Sequence, residues 1–297
     1  MDNGTLPTGL AAARFVSYAL LLVAAGVPFH ALIDRRPRFG ARMRLALALL
    51  AMGAGAASLW WATANVAAMA GMPLAQLDRE TFTAVIAATP LGTLLTVRAA
   101  ALALFLAALA LQPAPRLLAP LALAGLASAA WAGHAGVGTG AGEALSGDFL
   151  RAADVLHLAA AALWLGAMLA FLADMLSKRA KVGGEANVIR SLAAFARTGT
   201  VVVAVLFTTG LINSWLISGD SLPSGLWPRL IGLKLGLFLL MLSFAARNRW
   251  ILVPALEAGK SGAARRLTCT LALEMACAVA IVLVVAVVGL LDPHGGF

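Results

Sequence analysis

Apolar residues run in eight long blocks along the chain, at about 10–33, 45–69, 91–111, 117–135, 152–176, 198–218, 229–246 and 269–291. A helix needs about 20 mostly apolar residues to cross the hydrocarbon core of a bilayer, and each block is about that long. The interruptions are mainly Gly, Ala, Ser and Thr, which helix packing within a bilayer tolerates and uses. Period-two alternation with short turns, the mark of a transmembrane β-barrel, is absent. The pattern therefore predicts an all-α polytopic membrane protein with eight transmembrane helices. Residues 1–297 read as one integral membrane domain, because no connection is long enough for a soluble one. Residues 73–89 and 185–197 read as short amphipathic helices lying at the two surfaces. The start, MDNGTLPTG, lacks a basic stretch, so the first block reads as a retained span and not a cleaved leader.

Charge orients these spans. Sixteen of the 22 basic residues fall in the odd-numbered connections: Arg35, Arg36, Arg38, Arg42 and Arg44 after the first block, for example, and Arg247, Arg249, Lys260, Arg265 and Arg266 after the seventh. The even-numbered connections hold only Arg79, Arg151 and Arg229. The positive-inside bias then puts both termini on the periplasmic side. Composition excludes other classes. Of the 297 residues 62% are hydrophobic and 12% charged, with a mean hydropathy of +0.93, against about 25% charged in a soluble domain. That rules out a water-soluble enzyme and a disordered chain. The net charge of +9 is an orientation device, and no nucleic-acid partner is expected. Asn65 and Asn213, and Arg98 and Lys234, fall at matching places in the two halves, as a 4+4 parallel repeat would have them. Outer helix ends that simply tolerate polar residues explain the match equally well.

Candidate chemistry is sparse. Of four histidines, His134 ends the fourth block in WAGHAGVG, His157 lies one turn into the fifth, and His294 is in the tail DPHGGF, all at the expected outer face. A short loop joins the fourth and fifth blocks, so His134 and His157 are expected to face each other and suit a borderline metal. Hydrogen bonding of each ring to a neighbouring helix is the plainer alternative. In the fifth block His157, Trp164, Met168 and Met175 share one face. Imidazole followed by thioether is a soft-metal ligand series, and ordinary packing produces the same stripe. Met241, Cys269, Met275 and Cys277 lie in the inner halves of the last two blocks and form a candidate cytoplasmic exit, together with Glu274. The two cysteines are about 12 Å apart along a helix, too far for a disulfide, which needs Cα atoms within about 7 Å. Charged residues inside spans usually face partners or cavities. Asp154, one turn before His157, is expected to pair with Arg98 or Lys234, or to orient the imidazole. Glu274 is expected to meet an arginine of the seventh connection. No nucleotide-binding or hydrolase motif occurs.

The motifs GHAGVG at 133–138, ADVLHLAAAALWLGAML at 153–169 and TGLINSWLISGD at 209–220 resemble those of the copper-resistance protein D (CopD) family of bacterial inner membranes. So do LIGLKLGLFLLMLSFAARNRWILVPAL at 230–256, RRLTCTLALEMACAV at 265–279 and TPLGTLLTVRAA at 89–100. The resemblance covers nearly the whole chain. It implies eight helices that move copper inward, and a small periplasmic copper-binding partner of the CopC type. His134, Asp154, His157, Trp164, Lys234 and Glu274 fall on family motif positions. The segment SGLWPRL departs from the Tyr-Gly-Arg frequent in the family, and the chain has neither a Met-rich outer loop nor a fused CopC domain. Protein-mediated delivery therefore requires a separate partner.

The expectation is a copper transporter of the inner membrane, not an enzyme, that loads copper ion at His134 and His157 with His294 and Met168 as further ligands. The copper oxidation state is left open. Two alternatives stand beside it: a membrane haem protein for electron transfer with His134 and His157 as axial ligands, and a copper-binding sensor or assembly scaffold without flux.

Overall fold

The computed structural model describes residues 8–132, 141–176, 185–218 and 225–291. They are helical almost throughout: α1 Thr8–Ile33, α2 Ala41–Met69, α3 Arg79–Ala88, α4 Pro90–Leu111, α5 Pro115–Ala127, α6 Ala141–Leu176, α7 Glu185–Ser218, α8 Leu226–Arg247, α9 Val253–Glu257 and α10 Ala263–Val288. Seven helices among the described residues are long and apolar enough to cross a membrane. The block at 117–135 is not one of them. It is α-helical only as α5, with Pro120 inside, and then tightens into a 3-10 turn at Ser128–Trp131. The Ser128 hydroxyl donates to the Gly125 carbonyl at 2.7 Å, a back-bond that competes with the regular helical ladder at this change of pitch.

α1 is the hub and packs against α2, α5, α6 and α10. Its closest approach is to α6. A Cβ on Gly26 would meet the Ala162 carbonyl, and one on Gly166 would meet the Gly26 carbonyl. Only small residues let two backbones come this near, which is how helices associate where lipid supplies no hydrophobic driving force. One core joins the bundle, with Leu21, Leu47, Phe105, Leu118, Leu163, Val202, Met241 and Cys277 drawn from eight different helices.

The basic end of the bundle is tied by main-chain contacts. Phe39 N–H donates to the Pro113 carbonyl at 2.9 Å, and Arg44 Nη2 to the Ala110 carbonyl at 3.2 Å. At the opposite end Leu10, Trp61, Val66 and Leu91 pack together with Ala132 and Leu290. α5 and its 3-10 extension thus connect the level of Phe39 with that of Leu10.

Two surface expectations fare differently. Residues 73–89 do form a short helix, α3, whose first turn is capped by Asp78 accepting from Thr81 N–H at 2.7 Å. Residues 185–197 are not a separate surface helix: they are the first turns of the continuous α7. Between α8 and α9 the backbone widens into a π-turn at Asn248–Leu252. Pro254 has no N–H to offer the carbonyl four residues back, and such a vacancy favours a local change of pitch.

Candidate functional site

α7 packs on α6 and α8 packs on α10. The wedge between α7 and α8 holds a cavity of about 260 Å³. Its walls are apolar apart from a few groups: His157 and Trp164 of α6, Ser214 of α7 and Lys234 of α8, with Met241 among the apolar lining.

His157 is held in a defined way. Its Nδ1 lies 2.9 Å from the Thr209 hydroxyl, and Thr209 itself donates to the Val205 carbonyl one turn back. The single hydroxyl proton is thereby used, so Thr209 can only accept from the ring. The network assigns the Nδ1–H tautomer, and Nε2 keeps its lone pair. Such an outer hydrogen bond on one nitrogen sets the orientation and basicity of the other as a ligand. Gly210 makes room for the ring, since a Cβ there would lie 3.6 Å from His157 Cε1. One turn above, Asn213 Nδ2 donates to the Asp154 carboxylate. Lys234 is the nearby cation that Asp154 feels electrostatically, and no direct ion pair joins them among the described residues.

The expected Arg98 partner is overturned. Arg98 is 2% exposed and lies in the other half of the bundle. Its Nε donates to Ser128 Oγ at 2.9 Å and its Nη1 to Ser58 Oγ at 3.3 Å, and its guanidinium sits over the Trp61 ring at 5.5 Å. α4 carries it toward α2 and the 3-10 turn after α5, which present hydroxyls, not a carboxylate, to it. The expected arginine partner of Glu274 is also overturned. Glu274 is buried and accepts from the Asn248 amide, whose oxygen in turn accepts from Thr270. Arg249, an arginine of that connection, reaches elsewhere and donates to the Ala196 carbonyl and to Thr200.

The other expected residues divide. Met168 is buried in the core on α6, and Trp164 forms part of the cavity wall. Met241 and Cys277 are buried together in the same core, with Met275 against it, while Cys269 is exposed. Both cysteines are free thiols. His134 and His294 lie outside the described residues, so neither the His134–His157 pair nor the haem alternative built on it is tested. Among the described residues no group of three or more His, Cys, Asp and Glu side chains converges on one point. Sequence reasoning missed Thr209 as the orienting group for His157. Its signal was present: Thr209 and Asn213 are four apart in TTGLIN, a polar pair on one face of an apolar helix.

Residues 4–144 match the family model for the copper resistance protein D-like N-terminal domain, and residues 189–288 match the one for copper resistance protein D. The chain is 30% identical over 287 residues to copper resistance protein D of Pseudomonas syringae pv. tomato, covering 91% of this chain and 86% of that one. It is 29% identical over 182 residues to inner membrane protein YebZ of Escherichia coli (strain K12), 60% of each. No solved structure matches the chain.

Proposed function

The chain belongs to the copper resistance protein D family and is a multi-pass inner-membrane protein, and from that premise we propose that it moves copper from the periplasm toward the cytoplasm, loading the ion at His157. The observation that carries this reading is the His157 ring on the cavity wall, with Nδ1 engaged by Thr209 and Nε2 left as a lone-pair donor. Imidazole suits copper in either oxidation state, and the Met241 thioether in the same cavity favours Cu(I). Asp154, one turn nearer the opening, supplies negative charge that draws a cation in. Lys234 on the facing helix limits how tightly that cation is held. A transport site must load without trapping its cargo. No covalent chemistry is involved, and copper is cargo.

The topology that accompanies this reading has eight crossings with both termini periplasmic, as two sets of four. The arginine-rich connections set the cytoplasmic face. α5 and its 3-10 turn are the eighth crossing: 13 α-helical and 4 3-10 residues span about 28 Å, close to the roughly 30 Å hydrocarbon core. His134 and His294 join His157 at the mouth in this scheme. A separate periplasmic copper-binding protein of the CopC type delivers the ion.

Radiocopper flux into proteoliposomes tests the reading. Wild-type protein is expected to accumulate copper and His157→Ala to abolish accumulation while remaining folded. Undiminished flux in His157→Ala overturns the loading site. Copper binding with no flux in the wild type favours the sensor or scaffold alternative.

A further inference from the structure

His30 lies near the basic end of α1 and is 4% exposed, and neither of its ring nitrogens has a hydrogen-bond partner. A neutral imidazole carries one donor and one acceptor. Leaving both unmet in a buried place costs stability, so the ring needs an explanation other than hydrogen bonding. Its neighbours are aromatic. Phe171 of α6 meets it edge-on at 5.5 Å between centroids, and Phe195 of α7 at 5.7 Å. Phe195 also packs against Trp164 at 6.4 Å, and Trp164 lines the cavity that holds His157. A continuous series of rings therefore leads from that cavity to His30.

A thioether lies on the same course. Trp164, Met168 and Phe171 follow one another at helical spacing and share a face of α6, and Met168 is 3% exposed. α1 and α6 run in the same direction past each other, since Gly26 faces Ala162 and Gly166 while His30 faces Phe171. His30, one turn beyond Gly26, comes level with the turn of α6 that carries Met168. Just past it, Asp34 N–H donates to the His30 carbonyl. Arg36 bridges the carboxylates of Asp34 at 2.9 Å and Asp174 at 3.9 Å at the basic mouth.

We infer that His30 and Met168 form a second, deeper site for Cu(I), between the His157 cavity and the basic end of the bundle. This rests on the reading that the chain carries copper. An imidazole nitrogen and a thioether are neutral soft ligands that select Cu(I) and add no charge of their own, so the ion is held loosely enough to pass on. The Asp34 and Asp174 carboxylates one turn further receive it. The exit then lies between α1, α6 and α7, and not at the sulfur groups of α8 and α10.

Equilibrium retention of Cu(I) by the detergent-purified protein against a colorimetric cuprous chelator tests this. Wild type is expected to retain two equivalents, His157→Ala one, and His30→Phe one, the phenyl ring preserving the aromatic packing. Met168→Leu is expected to weaken the second equivalent by about tenfold, or ~1.4 kcal/mol, and to remove the copper–sulfur signal from the X-ray absorption spectrum of the His157→Ala background. That spectrum decides the matter if His30→Phe does not fold. A wild type that retains a single equivalent, lost in His157→Ala, overturns the inner site and leaves the loading site standing. Two equivalents reduced by His30→Phe and untouched by His157→Ala uphold the inner site and overturn the loading site. No retained copper overturns both.

Discussion

The two halves of the bundle bury charge in different ways. In the first half Arg98 is wrapped by the hydroxyls of Ser58 and Ser128 and by the face of Trp61, with no carboxylate beside it among the described residues. In the second half His157 of α6 and Lys234 of α8 line one cavity, Asp154 accepts from Asn213 one turn before His157, and the Thr209 hydroxyl that accepts from the ring leaves the His157 Nε2 lone pair over. A polar group enclosed by protein, with its partners supplied by packed helices, ties helices together. A polar group that keeps a ligand atom toward open space has chemistry to offer. On the transport reading proposed above, that contrast makes the first half scaffold and gives the second half the cargo site, with α1 and α6 as the seam between them.

The largest expected effect is at the seam. Gly166→Leu drives a side chain into the Gly26 backbone, and overpacking of this kind costs about 3 kcal/mol or more. Thermal unfolding in detergent should show loss of the folded protein, whereas Gly53→Leu, where a Cβ meets only the end of the Leu20 side chain, should unfold near the wild type. Equal behaviour of the two would dissolve the seam.

A paired substitution sharpens the division of labour. Lys234→Met removes a cation from the wall facing His157, so copper should bind about tenfold more tightly and leave more slowly, lowering flux. Arg98→Met removes a buried cation from the scaffold. Relief of the cost of burying an unpaired charge offsets the hydrogen bonds lost to Ser58 and Ser128, so the unfolding temperature should stay near the wild type with flux unchanged. Flux lost in Arg98→Met and retained in Lys234→Met would reverse the roles of the halves.

The smallest effect lies at the surface of the scaffold half. The Thr81 N–H holds the Asp78 carboxyl below its ordinary range. A depressed carboxyl contributes stability above its unfolded value and loses it as pH falls through the folded one. Amide protection at Thr81 and Phe82, taken relative to the intrinsic exchange rate at each pH, should therefore fall only below about pH 4. In Asp78→Ala that protection should be low and independent of pH. A wild type with no such pH dependence would remove the cap.

Much of the fold was legible in the order of residues. Seven of the apolar blocks became long helices, and the connections that follow the first and third blocks meet at one end of the bundle. The block at 117–135 forms a shorter α-helix followed by a 3-10 turn, and the change of pitch has a local cause in Pro120 and the Ser128 back-bond. At the site, His157 was legible because a titratable ring in an apolar span has few reasons to be there. Its Thr209 partner was not, since that contact joins residues 52 apart. The partners assigned to Arg98 and Glu274 were wrong for the same reason: matching depth places two groups in one layer of the bundle without saying which helix faces which.

The linear chain determined that this is a membrane protein, where its main spans lie and which end is basic, because a bilayer acts on each segment separately through its length, apolarity and flanking charge. Tertiary structure alone decided the wedge between α7 and α8, the ring series from Trp164 to His30 and the hydroxyl cradle of Arg98. These depend on the rotation of each helix about its axis. In a chain that is 62% hydrophobic, no polar stripe specifies that rotation, and it is settled by small residues such as Gly26 and Gly166 that admit one close approach and exclude the others.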